Sequence, residues 1–191
     1  GPAGSAFHSL AEAPDGSIYA GTGAGLFRYE GSIDHWSPVP IDRERVGRVF
    51  ASSGGVLFAE IYSGGCISWY EHFVSFDRGE TWSEDQSLPY WVGITTFAET
   101  ADGAIWAPTS AGELLRRDPG SASWTQHVPV PSMGGVQDLV VTSDGALLVL
   151  ATHSDTGERA VFLSDDNGAT WSIPLRAEAR LIVLATKENG Y

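Results

Sequence analysis

Basic residues are scarce. Lys187 is the only lysine, no basic run exceeds the pair Arg116-Arg117, and 11 Lys and Arg face 24 Asp and Glu, for a formal net charge of −13. Nucleic acids are held by clustered Lys and Arg that displace phosphate counterions. Neither nucleic acid nor an anionic membrane surface is therefore an expected partner, and the acidity is read as solubility. Cysteine is almost missing: Cys66 alone excludes an intrachain disulfide, and there is no CxxC for a zinc ribbon or redox pair. Its Gly-Gly-Cys-Ile-Ser setting suits a small buried hydrophobe. No apolar run approaches the roughly 18 residues of a membrane span, so no membrane insertion is expected. His8, His35, His72, His127 and His153 lack metal-ligand spacing, so neither metal nor cofactor is expected. Helical periodicity is missing too, and Pro108, Pro119, Pro129 and Pro131 oppose helices. Residues 1–5, Gly-Pro-Ala-Gly-Ser, read like a cleavage and cloning scar and are set aside.

What is plentiful is glycine, 23 residues, and tryptophan, 7, which together suggest short strands joined by tight turns. Trp36, Trp82, Trp124 and Trp171 recur at spacings of 46, 42 and 47 residues. Periods of this size belong to the blades of β-propellers. The intervals share one grammar. A β-rich run (8–11, 48–51, 94–98, 136–142) meets a glycine turn at Asp15-Gly16, Gly54-Gly55, Asp102-Gly103 or Asp144-Gly145. Such pairs predict two-residue hairpins with φ > 0. A second strand follows (17–20, 56–59, 104–107, 146–149), then a third, then a short fourth bearing the tryptophan. The expected fold is all-β, with four-stranded antiparallel blades in repeats of about 6–37, 46–83, 92–126 and 135–172, within a single domain over 6–191. Residues 179–186 add one extra strand. A lone apolar strand is a liability, so it either marks an excerpt of a larger propeller, closes a four-bladed ring, or joins a second chain. The last, a homodimer, is favoured because open blade faces expose apolar surface.

Two turns carry a sharper signature, S-x-D-x-G-x-T-W: Ser75, Asp77, Gly79, Thr81, Trp82 and Ser164, Asp166, Gly168, Thr170, Trp171. It resembles the Asp box, or BNR repeat, of sialidases, other glycoside hydrolases, sortilin-type receptors and photosystem assembly factors. Residues 117–124 and 30–36 keep weaker traces. Local turn chemistry accounts for every residue type, with Asp accepting N–H bonds across its own turn and Gly supplying the left-handed position. The boxes are thus expected to be folding staples, and in the families they resemble they lie away from the active site. Residues 16–29, with Gly21-Thr22-Gly23-Ala24-Gly25, are similar to two-component-regulator propeller repeats. No helix follows that glycine run, which argues against a phosphate loop.

In a propeller, the loops leaving the second and fourth strands share one face, where ligands bind. The ligand-binding candidates there are Tyr62, Tyr90, Trp91, Arg43, Glu60 and His153, with Asp42, Arg45, His127, Met133 and Asp155 nearby. Loop aromatics stack on sugars or anchor protein partners. The leading expectation is a non-catalytic propeller binding a glycan or a protein. One alternative is a glycoside hydrolase or a fragment of one, which needs paired carboxylates; Glu60 and Asp155 are acidic, but nothing pairs them. The Phe/Tyr-Arg-Ile-Pro motif of sialidases is missing, with Phe27-Arg28-Tyr29-Glu30 only an echo. Another alternative is a structural or assembly module. The Asp-box resemblance implies an extracytoplasmic, secreted or periplasmic location.

Overall fold

A computed structural model describes residues 5–31, 34–63, 69–127 and 133–177. The lone Cys66 and the extra strand expected over 179–186 lie outside the described residues. Two compact units divide the chain, residues 1–93 and 94–191. Each holds two four-stranded antiparallel sheets, with strands in chain order, and no helix occurs among the described residues.

The first unit contains β1 (Phe7–Glu12), β2 (Ile18–Thr22), β3 (Gly25–Glu30) and β4 (His35–Pro38), then β5 (Val46–Ala51), β6 (Leu57–Ser63), β7 (Trp69–Ser75) and β8 (Ser83–Glu84). Its core lies between the two sheets. Tyr19 and Leu26 from one meet Val49, Leu57, Ala59, Ile61 and Phe73 from the other. A single four-stranded sheet cannot bury its apolar face alone, and stacking solves that. The inner strands are also tied by polar contacts: the Val49 N–H donates to Ser9 Oγ at 2.9 Å.

The second unit contains β9 (Ala98–Glu99), β10 (Ile105–Pro108), β11 (Leu114–Arg117) and β12 (Thr125–His127), then β13 (Met133–Val141), β14 (Leu147–His153), β15 (Arg159–Ser164) and β16 (Ser172–Ala177). Its core gathers Trp106 and Leu114 with Val136, Leu139, Leu147, Val149 and Phe162. The expected strand over 94–98 is mostly absent. Only Ala98 and Glu99 pair with β10, and Ile94 forms an isolated bridge to Thr109. Trp82, Trp124 and Trp171 stand one residue ahead of the fourth strands, while Trp36 lies on its own.

The turns correct a second expectation. In all four repeats only the glycine takes positive φ, at Gly16, Gly55, Gly103 and Gly145. Its N–H donates to the carbonyl three residues back, and that residue's N–H donates to the residue after the glycine, as in Ala13 N to Ser17 O and Thr142 N to Ala146 O. These are three-residue loops, a type I turn closed by a left-handed glycine, rather than two-residue primed turns. The residue before the glycine has no positive φ in any of the four, Gly54 included, and where it is Asp its carboxylate closes the turn. Asp15 accepts from the Ser17 N–H, and Asp102 accepts from the Ala104 N–H and the Thr100 hydroxyl.

Both Asp boxes close in the same way. The Ser75 hydroxyl donates to Asp77 at 2.7 Å and accepts from the Gly79 N–H at 2.8 Å. Asp77 takes the Thr81 N–H on one oxygen and the Thr81 hydroxyl on the other. The Trp82 indole N–H donates to the Gly79 carbonyl. Ser164, Asp166, Gly168, Thr170 and Trp171 repeat each bond. The Tyr19 hydroxyl donates to the Arg78 carbonyl at 2.7 Å, so the first sheet grips the box of the second.

Ser75→Ala should therefore cost about 1–3 kcal/mol, because it strands the buried Gly79 N–H. Urea unfolding checks this, and a change too small to measure would reduce the box to decoration. The threonine bonds, with help from serine, pull Asp77 and Asp166 down to about 2 from an ordinary 3.8. Because the folded value is the lower one, the boxes' full contribution is present above 3.8. It is lost as pH falls through about 2. Unfolding midpoints across that interval should slope less steeply in the double variant Asp77→Asn/Asp166→Asn. Equal slopes would place the acid sensitivity elsewhere.

Candidate binding site

The first unit places aromatic and acidic side chains together through strand register. β6 and β7 pair Glu60 with His72, Tyr62 with Tyr70 and Ser63 with Trp69. β5 sets Arg48 opposite Glu60, after a register shift at Gly47. Side chains alternate along a strand, so Arg48, Glu60, Tyr62, Tyr70 and His72 share one sheet face. The other face carries Ala59, Ile61 and Phe73 into the core. The Tyr62 and Tyr70 rings lie 5.4 Å apart, tilted by 43°.

Glu60 and His72 are each 5 % exposed. His72 Nε2 lies 2.9 Å from the Val92 carbonyl. A carbonyl only accepts, so this nitrogen carries the proton. Burial pushes the histidine below its ordinary 6.5, against the opposing pull of Val92 and the nearby acids, and it is neutral at pH 7. Its Nδ1 stands 3.9 Å from Glu60 Oε2, beyond hydrogen-bonding reach. The two are neighbours and not an ion pair.

The Val92 bond is one of two that tie residues 89–93 to β7, and a third closes the segment's own turn. The Tyr70 N–H donates to the Tyr90 carbonyl at 2.6 Å, and the Val92 N–H donates to that of Pro89 at 3.1 Å. Gly93 lies directly under the Tyr70 ring, where an added Cβ would come within 2.6 Å of it. The backbone is held while the side chains of Tyr90 and Trp91 stay 63 % and 64 % exposed, edge to face at 4.9 Å. Tyr62 and Trp69 are exposed at the same end of β6 and β7. The Asp box occupies the opposite end of β7. A depression of about 310 Å³ beside the aromatics is lined by His8, Gly47, Arg48, Glu60, Tyr62 and Tyr70.

The remaining sequence candidates lie elsewhere. Arg43 is on the other face of β7, donating to Glu71 at 2.7 Å and covering the Phe73 ring at 5.2 Å. It borders a separate depression of about 450 Å³ with Asp42 and Glu44. His153 belongs to the second unit, buried and stacked on Phe162 with ring centroids 6.5 Å apart. Met133 is buried there, and Asp155 lies in the turn that follows β14. The sequence analysis placed none of His72, Tyr70 and Gly93 among the ligand-binding candidates. Their signal is the strand register, which no single position reveals.

Gly93→Ala should displace the Tyr70 ring and lower affinity for an aromatic-stacking ligand by about tenfold, the worth of one good ring contact. Calorimetric titration against wild type checks this. Unchanged affinity would remove Tyr70 from the site.

The BNR/Asp-box repeat family matches residues 73–84. Over 70 residues the chain is 33 % identical to a sialidase of Clostridium perfringens, covering 36 % of this chain and 17 % of the sialidase. Among solved structures it is similar to the GH74 xyloglucanase of Xanthomonas campestris, with a TM-score of 0.67, 20 % identity, and coverage of 87 % of this chain and 29 % of the xyloglucanase. It is also similar to the extracellular domain of a one component system of B. thetaiotaomicron, with a TM-score of 0.65, 12 % identity, and coverage of 92 % of this chain and 23 % of that one. The chain thus spans less than a third of each of these proteins. The fold is all-β and of the Asp-box propeller kind.

Proposed function

We propose that this chain of Asp-box propeller repeats is a carbohydrate-binding module acting outside the cytoplasm, with Tyr62, Tyr70, Tyr90 and Trp91 as its contact surface. One observation carries the reading: two large aromatic side chains are left exposed on a backbone segment held from three sides. Aromatic faces on a rigid support bind flat apolar sugar faces at little entropic cost. The similarity to a sialidase and to a xyloglucanase supports a carbohydrate ligand. The depression's lining holds a single carboxylate, Glu60, whereas glycoside hydrolysis needs two groups across one sugar.

A glycan array followed by calorimetry tests this. Binding of one glycan class, weakened by substitution at Trp91, is expected. An array with no hits sinks the proposal. Because the relatives include hydrolases, fluorogenic glycosides are run in parallel. Turnover that disappears in Glu60→Gln would replace binding by hydrolysis as the function.

A further inference from the structure

We propose that the aromatic surface selects the interior of a neutral glucan chain that turns from one sugar to the next, over a chain that lies as a flat ribbon. This rests on the carbohydrate reading above and names the class of glycan that the same surface takes. The mutual inclination of the rings carries it. Tyr90 and Trp91 are both exposed and stand at 81° to each other, with centroids 4.9 Å apart. An aromatic face stacks on the C–H face of a sugar. A sugar lying on one of these rings turns its edge toward the other. The next sugar reaches the second face only if the chain bends between them. A flat ribbon keeps its sugar faces in one plane and so engages one ring of such a pair. Tyr62 and Tyr70 are inclined as well, by 43° at 5.4 Å.

The backbone fixes where the rings stand. The Tyr70 N–H goes to the Tyr90 carbonyl and not to β6, so Tyr62 and Tyr90 flank β7 on opposite edges, about 10 Å apart by two strand spacings. That width exceeds one sugar ring, so the surface meets a chain along its length. The His72 bond to Val92 and the close seat of Gly93 under Tyr70 hold the same segment. Rings set in advance keep their angle at little entropic cost. Charge does not compete with this selection. Strand register sets Arg48 opposite Glu60 in the lining of the depression, His72 is neutral, and Arg43 is committed to Glu71 on the other face. None of these groups singles out an acidic or a basic sugar. Glucose, with every ring hydroxyl equatorial, offers the broadest C–H faces for stacking.

Calorimetric titration of the whole chain compares maltohexaose, laminarihexaose and cellohexaose. The three share their sugar and their length; the first two turn along the chain and the third lies flat. At least one turning chain is expected to bind about tenfold more tightly than cellohexaose, the worth of a second ring contact. The tighter of the two identifies the linkage. In Tyr90→Ala the inclined pair is gone while the backbone bond to Tyr70 stays, and the three affinities should converge. Tyr90→Phe keeps the ring and should keep the preference. Equal or tighter binding of cellohexaose by wild type would overturn the proposal and leave the carbohydrate reading intact. A preference that survives in Tyr90→Ala would do the same, as would one lost in Tyr90→Phe, which would assign it to the hydroxyl. If no hexamer binds while the array reports another glycan, the glucan proposal alone falls. If the array is empty too, both readings fall.

Discussion

Trp91→Ala should weaken binding of the strongest glycan on the array by about thirtyfold or more, the loss typical of an aromatic hot spot worth at least about 2 kcal/mol. The fold should scarcely notice. Trp91 is 64 % exposed, and exposed positions away from caps and networks usually change stability by no more than about 0.5 kcal/mol. The split between affinity and stability is what makes the experiment informative. A Trp91 that served only to cap the sheet would give the reverse pattern, with a lowered unfolding midpoint and unaltered binding. The neighbouring ring adds a second test. Tyr90 meets Trp91 edge to face at 4.9 Å, close enough to position it. Side chains in contact are not additive. The double variant should lose less than the sum of the single losses. Strict additivity would mean that the two rings touch the sugar independently.

Much of this architecture could be read from the sequence, for a physical reason. Strand pairs need glycine at fixed places, and the Asp box needs four side chains and a glycine at fixed offsets, so repeats at 46, 42 and 47 residues leave a visible frame. Turn geometry was less legible. Asp-Gly serves both a primed two-residue turn and a type I turn ending in a left-handed glycine. The choice is made by hydrogen bonds between flanking residues, such as Ala13 to Ser17. The shortness of β9 was hidden because Ile94-Thr95-Thr96-Phe97-Ala98 has every local mark of a strand, yet only its last residue joins the ladder. The candidate site was half legible. Tyr62, Tyr90 and Trp91 announce themselves as loop aromatics. Glu60 gains its setting only through register, which brings it opposite His72 and Arg48, residues 12 positions away on either side. Arg43 carries the right chemistry but lies in the loop between β4 and β5, where it meets Glu71 on the opposite face of β7.

Trp106→Ala should be the most damaging single change in the second unit, at about 3–5 kcal/mol. Trp106 is fully buried. It occupies the second position of its repeat's second strand, where Tyr19 and Phe58 stand in the first two repeats. Its own sheet is the sparsest of the four, since β9 has two residues, β12 three, and β10 and β11 four each. The indole belongs to one buried cluster with Leu114, Met133 and Val136, with the Arg116 guanidinium 5.1 Å from the ring centre. Alanine removes the packing of both faces at once, and the sheet has little ladder with which to collapse. The urea midpoint, followed by far-UV circular dichroism, should fall by about 1–3 M. Trp106→Phe, which keeps an aromatic plate in the same place, should recover a large part of that loss. Should alanine shift the midpoint by less than about 0.3 M, the stability of this sheet would rest on its turns, Thr100 to Ala104 and Thr109 to Glu113, each closed by a left-handed glycine.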